Sequence, residues 1–427
     1  MGAAQPELAE ALRHAIGRLV ASLAQLQAAR RRGTLPHVTD AAGWKLIPSL
    51  APDETALTGL PWTGGFVAGQ LWLASRVCGN RQLAAEAAAV TELLAPRAAR
   101  ADTHDLGFLF WPSAVLGHLV TGDPRYRELA LRAARSLTTR VLSSGVIQMI
   151  GALDDPEQRG RTIVDTLPNL MLLWWAEREG LVQAGEVARS HVEASLPAAI
   201  RNDGSTFHAV RFADDGSILD RGTVNGLAPE STWARGQAWT IHGLVSAYRA
   251  TGDRDILAAV ERTASFFCDR LPPELIPPWD FDAAPSAPPD SSAAAITASA
   301  LLDVGGKWRG RALDLLGALV RRCLNRGQGD GLLLRSCYRY TVGEGIDCAT
   351  VWGDFFLLDA LLRAVEPASR PDPLADGGKV RLGGGELDPP PFAERLGAAQ
   401  RRTVAPTGSS NARRRGPWCT CRRRRHP

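Results

Sequence analysis

Five short clusters in this 427-residue chain hold side chains able to do acid–base or sugar-binding chemistry. Trp62-Thr63-Gly64-Gly65-Phe66 sets an indole on a Gly-rich turn that leads into a helix. His104-Asp105-Leu106-Gly107-Phe108 puts a carboxylate beside an imidazole, with a glycine that permits close backbone approach. Thr162-Ile163-Val164-Asp165-Thr166-Leu167-Pro168-Asn169 places one acid in an apolar stretch that continues into LMLLWWA. Such surroundings raise a carboxyl pKa, which a general acid requires. In Glu230-Ser231-Thr232-Trp233-Ala234-Arg235-Gly236-Gln237-Ala238-Trp239, Arg235 and Trp239 are four apart and share a helix face. A guanidinium beside an indole suits a carboxylated sugar, because the fork grips the carboxylate and the ring covers the sugar. The fifth cluster, Thr350-Val351-Trp352-Gly353-Asp354-Phe355-Phe356, sets an acid among aromatics.

Each cluster also has a plainer reading. Asp105 and Asp165 could cap helices, Arg235 could pair with Glu230, and Trp62, Trp233, Trp239 and Trp352 could fill the core. His118 and His242 fall inside helical patterns and read as packing residues, whereas His208 is more open to a role. The 12 Trp against 4 Tyr favour sugar stacking. Two carboxylates, an arginine and several tryptophans on one scaffold point to a carbohydrate enzyme.

The elements that must position these residues are helical pairs. Cys78-Gly79-Asn80, Thr121-Gly122-Asp123-Pro124 and Thr251-Gly252-Asp253 punctuate the chain in the same way. Gly ends one helix in a left-handed position, Asn or Asp caps the next, and Pro124 stands where its missing N–H costs nothing. The recurrence implies stacked helical hairpins, about six pairs between residues 40 and 365. Residues 203–220 alternate around Asp215-Gly216 and read as an inserted β-hairpin. The expected organisation is an N-terminal helix and linker at 1–39, the helical domain at 40–365 and a disordered Pro/Gly/Arg-rich tail at 366–427.

Composition narrows the function classes. Residues 401–427 carry nine arginines and no acid, so a net charge of +4 becomes −5 for the rest. The folded part is mildly acidic, and no nucleic-acid partner is expected. The seven scattered cysteines contain no CxxC pair, and they read as reduced core thiols rather than a zinc site or disulfide framework. The start, MGAAQPELAEALRHAIGRL, reads as an amphipathic helix rather than a secretory signal. No membrane span is expected, and the expected location is cytoplasmic.

HDLGF at 104–108, GRTIVDTLPNLMLLWWA at 160–176, ESTWARGQAW at 230–239, PDSSAAAITASALL at 289–302 and TVWGDFFLLDALLR at 350–363 together resemble the unsaturated glucuronyl hydrolases, glycoside hydrolase family 88. The resemblance runs in order over about 320 residues. It implies an all-α (α/α)6 barrel, in agreement with the hairpin pattern. It also implies hydration of the vinyl ether of a 4,5-unsaturated uronate at the non-reducing end of lyase-generated oligosaccharides. By that resemblance Asp165 is the general acid/base and Asp105 the second carboxylate. His104, His208, Asn225, Trp233, Arg235, Gln237 and Trp239 line the sugar subsite, with Trp62 as a stacking wall. No metal or organic cofactor is implied. The chain departs from the family pattern at Gly64, at Val224-Asn225-Gly226-Leu227, and near Met149-Ile150-Gly151, where a tryptophan has no counterpart. Two alternatives stay open at this point: a hydrolase of unsaturated rhamnogalacturonan fragments, and a non-catalytic sugar-binding protein.

Overall fold

The computed structural model describes residues 4–50 and 61–374. Its helices are α1 (Ala4–Ala21), α2 (Leu23–Arg31), α3 (Gly64–Cys78), α4 (Arg81–Leu94), α5 (Leu106–Phe110), α6 (Leu116–Thr121), α7 (Pro124–Thr138), α8 (Thr166–Asn169), α9 (Met171–Arg178), α10 (Val182–Ala199), α11 (Ala234–Thr251), α12 (Arg254–Asp269), α13 (Ser291–Val304), α14 (Trp308–Arg322) and α15 (Val351–Val365). A single π-helical turn, Trp111–Val115, joins α5 to α6, and Leu170 alone separates α8 from α9.

Two kinds of sequence make two layers. α3, α11, α13 and α15 are almost wholly buried, mostly through apolar and small residues, with a few buried polar side chains in α11 and α15. α7 and α12 are amphipathic, with one apolar stripe facing inward. These buried helices, with α5–α6 and α8–α9, touch one another in a closed ring: α3, α5–α6, α8–α9, α11, α13, α15 and back to α3. Outside them α4 packs on α3, α7 on α5 and α9, α10 on α9, α12 on α11 and α14 on α13. The twelfth helix is α1, which packs on α15. The result is the (α/α)6 barrel that the family resemblance implied and the hairpin pattern agreed with.

The expected junctions form. Gly79, Gly122 and Gly252 adopt φ of +65°, +72° and +71°. Asn80, Asp123 and Asp253 accept backbone N–H groups of the following first turns. Asp290 caps α13 in the same manner.

The domain boundaries need correction. α1 is part of the barrel and not a separate N-terminal piece, because Leu8, Leu12, Ile16 and Leu19 enter the common core. Its amphipathic pattern matched that of an outer helix, yet its partner α15 is more than 300 residues away. The folded chain also runs past 365. Arg370 pairs with Asp359 at 2.6 Å, Arg249 with Asp372 at 2.5 Å, and Arg178 donates to the Leu374 carbonyl at 2.7 Å. The remainder of the expected tail, 375–427, lies outside the described residues.

The small sheets sit at the helix N-terminal end of the ring. The expected hairpin is β4 (Ala209–Phe212) with β5 (Ile218–Gly222), and β3 (Arg161–Ile163) adds to its other edge. Hairpins β1 (Thr34–Asp40) with β2 (Gly43–Pro48) and β6 (Ser336–Arg339) with β7 (Glu344–Cys348) were not foreseen. All five described cysteines are unpaired. No helix among the described residues is long and apolar enough to cross a membrane.

Candidate active site

The inner helices all begin at one end of the barrel, and the residues just before or within their first turns meet there. Trp62 precedes α3, Asp105 precedes α5, Asp165 precedes α8, Trp233 precedes α11, and Thr350 caps α15. The positive ends of the helix dipoles converge on this end, which favours an anionic ligand. A cleft of about 740 Å³, open to solvent, is walled by Trp62, Thr103, His104, Asp105, Phe108 and Asp165, with Asn225, Trp233, Arg235, Tyr338 and Arg339 opposite.

Asp105 and Asp165 do stand at helix N-cap positions, but neither side chain caps its helix. Both therefore keep oxygens for the cleft. Asp105 accepts the Thr103 hydroxyl at 2.9 Å, and its other oxygen is 3.4 Å from His104 Nε2. His104 Nδ1 lies 2.6 Å from the Thr166 hydroxyl, which continues to Thr162 at 3.2 Å. Burial holds His104 below the ordinary imidazole range, despite the neighbouring Asp105 and Asp165 carboxylates. Asp165 Oδ2 is 3.5 Å from His208 Nε2, and the His208 ring lies 4.5 Å from Trp233.

A relay of short backbone bonds holds the two carboxylates in register. The β3–β4 sheet carries Asp165 at its edge, Met149 N–H donates to the Arg161 carbonyl, and His104 N–H donates to the Met149 carbonyl. Arg140, wholly buried, ties this carpet down. Its guanidinium donates to the carbonyls of Gln148, Ala101 and Gly151. Burial pushes Arg140 down to about 10. Sequence reasoning gave no sign of Arg140, because its partners are backbone atoms with no residue signature.

The other foreseen residues divide. Trp62 faces the cleft and packs at a tilt against Trp352, ring centres 4.9 Å apart. Asn225 and Trp233 also line it. Arg235 reaches the cleft, but its partner is Asp290 at 2.7 Å, not Glu230. Its guanidinium also donates to the carbonyls of Cys337 and Tyr338, both at 2.6 Å, and lies 4.5 Å over the Trp233 ring. Three of its five N–H groups thus bind the protein, and it ties strand β6 to α11. Gln237 and Trp239 do not reach the cleft. Gln237 bonds Gly204, Thr263 and Thr206, and Trp239 packs on Phe108 and Phe356 in the barrel core. They share the helix with Arg235, but the helix turns them inward.

Tyr338 and Arg339 were missed, since strand β6 carries no motif. Met149 and Ile150, near which the resemblance had implied a tryptophan, line the cleft. Gly64 lies away from it: a Cβ there would meet Leu35 and Leu94 at 2.9 Å. Among the described residues no group of three or more His, Cys, Asp or Glu side chains is placed to hold a metal ion.

No protein-family model matches the chain. Over 348 residues it is 35% identical to the unsaturated glucuronyl hydrolase of Bacillus sp. (strain GL1), covering 77% of this chain and 90% of that relative. It is 33% identical over 322 residues to the unsaturated chondroitin disaccharide hydrolase of Streptococcus pyogenes serotype M1, covering 71% and 80%. A solved complex of an unsaturated glucuronyl hydrolase variant with dGlcA-Glc-Rha-Glc superimposes with a TM-score of 0.77 at 33% identity, covering 86% of this chain and 99% of that one. With this likeness in sequence and fold, and the barrel-end cleft in place, the chain belongs to the unsaturated glucuronyl hydrolases of glycoside hydrolase family 88 and is a glycoside hydrolase.

Proposed function

We propose that this hydrolase releases a 4,5-unsaturated uronic acid from the non-reducing end of lyase-generated oligosaccharides by hydrating its vinyl ether. The observation that carries the reading is the pair Asp105 and Asp165: two carboxylates brought to one aromatic-walled cleft, neither engaged in capping its helix. Asp165 in its acid form gives its proton to C4, and the positive charge that develops at C5 is shared with the ring oxygen. Water adds its oxygen to C5 and returns a proton to Asp165. The net change is addition of one water, and the resulting hemiketal opens and frees the neighbouring sugar. One carboxyl group thus serves as acid and then base, unlike hydrolysis at the anomeric carbon.

Asp105, oriented by Thr103 and His104, is suited to hold ring hydroxyls on the same face. Trp62 and Trp233 wall the sugar ring, and the helix N-termini with Arg339 favour its carboxylate. Arg235 orders Trp233 and β6 from behind. Asn225 stands where a ring or neighbouring-sugar hydroxyl would pass.

The test mixes the protein with a panel of lyase-generated unsaturated disaccharides and follows the ultraviolet band of the conjugated C4=C5 bond. The band should fade with at least one member. Asp165→Asn should lower turnover by at least about 100-fold while keeping binding, as loss of a general acid does. A variant at Asp165 that turns over like wild type would overturn the assignment.

A further inference from the structure

The His208 ring is held from behind by one turn. Its Nδ1 is 3.0 Å from the Thr223 hydroxyl, 3.1 Å from the Val224 N–H and 3.3 Å from the Asn225 N–H. The Thr223 oxygen itself accepts the Gly226 N–H at 2.7 Å, so its own proton is free to point at the ring. A ring nitrogen that accepts carries no hydrogen, so the neutral ring keeps its proton on Nε2. That nitrogen faces Asp165 Oδ2 at 3.5 Å, and among the described residues neither atom has a closer hydrogen-bonding partner. The turn is anchored in its own right. Buried Asp280 accepts the Leu227 N–H at 2.9 Å and the Ser231 hydroxyl at 2.8 Å.

We propose that the Thr223–Gly226 turn is a positioning device for the acid/base: it fixes His208 as the Nε2–H tautomer and so holds a neutral donor against Asp165, with Thr223 as the positioning residue. The inference rests on the proposed role of Asp165. A donor there orients the carboxyl and steadies its anionic form without bringing a cation beside it. The Nδ1–H tautomer would instead turn a lone pair toward the carboxylate. The same turn carries Val224 and Asn225 into the cleft, so the residues that meet a ligand and the residues that set the tautomer are one backbone segment.

The experiment is a long-range proton–nitrogen NMR correlation on the ¹⁵N-labelled full chain, with the His208 signals assigned by their loss in His208→Gln. The expected result is an unprotonated Nδ1 and a protonated Nε2. Thr223→Val removes the oxygen that accepts the Gly226 N–H and closes the turn, so the Val224 and Asn225 N–H groups lose their hold on Nδ1. It should populate the other tautomer and lower kcat about tenfold, less than the ~100-fold of a reacting group misplaced by 1 Å. KM should stay within about twofold, and Thr223→Ser should restore both the spectrum and kcat. If Thr223→Val does not fold, the wild-type spectrum decides. His208→Gln, whose amide N–H replaces that at Nε2, should also retain more kcat than His208→Asn, which is too short to reach. A wild-type Nδ1–H tautomer, or Thr223→Val with wild-type kcat, overturns the proposal. A wild type that hydrates no unsaturated uronide, or an active Asp165→Asn, sinks the functional reading instead and leaves the tautomer to be read from the spectrum.

Discussion

Gly107→Ala is the sharpest probe of how the fold spaces its two carboxylates. A Cβ at Gly107 would stand 2.2 Å from the Asn169 carbonyl oxygen and 2.4 Å from its Cα. Both are backbone atoms and cannot swing aside. Asn169 closes α8, accepts the Phe108 N–H at 2.6 Å and donates to the Asp165 carbonyl at 2.9 Å. The added methyl therefore wedges α5 from α8 where Asp105 and Asp165 are anchored. Restoring ordinary contact needs a shift of about 1 Å, enough to cost ~100-fold in rate when reacting groups lose register. Overpacking of this kind destabilises by about 1–3 kcal/mol, and losing the Phe108–Asn169 bond adds about 1 kcal/mol. The assay pairs the fading of the C4=C5 absorbance with a urea melt followed by tryptophan fluorescence. Gly17→Ala is the control, because among the described residues nothing lies within 4 Å of a Cβ placed there. It should leave the rate alone and stabilise α1 by about 0.5–1 kcal/mol. A Gly107→Ala protein with wild-type rate and wild-type midpoint would refute the argument that this contact sets the carboxylate spacing.

Further outcomes follow from the buried charges. Asp290→Ala strands the Arg235 guanidinium in the barrel and should cost about 3–5 kcal/mol in a denaturant melt. Glu230→Ala should stay within about 0.5 kcal/mol, since Glu230 is exposed and not the partner of Arg235. Stability should fall as pH drops from 6.5 toward about 4, read as a falling melting temperature. Burial lowers His37 and His242 to about 4 and His191 to about 3. The unfolded chain then binds protons that the folded one refuses, so stability rises with pH across this window. His242 alone contributes on the order of 3 kcal/mol at pH 4. A melting temperature that is flat or rising toward pH 4 would contradict this balance.

The sequence by itself settled whatever local chemistry or periodicity can encode. The Gly-Asn and Gly-Asp junctions, the capped helices and the hairpin around Asp215-Gly216 need only neighbouring residues. The glycine of HDLGF announced a close backbone approach, but only the packing of α5 on α8 made Asn169 its neighbour. Asp105 and Asp165 were legible as candidates because one adjoins an imidazole and the other is the lone acid of an apolar stretch. Tertiary structure decided the rest, because those contacts join residues with no sequence relation. The amphipathic face of α1 announced that it must be covered, but not that α15 would cover it. The four-residue spacing of Arg235 and Trp239 was legible. Only the ring of helices determined that Trp239 turns to the core and that Arg235 meets Asp290 and the carbonyls of β6. Backbone donors and acceptors carry no residue signature, so Arg140 under the carpet and the turn behind His208 appear only when distant segments close on one another.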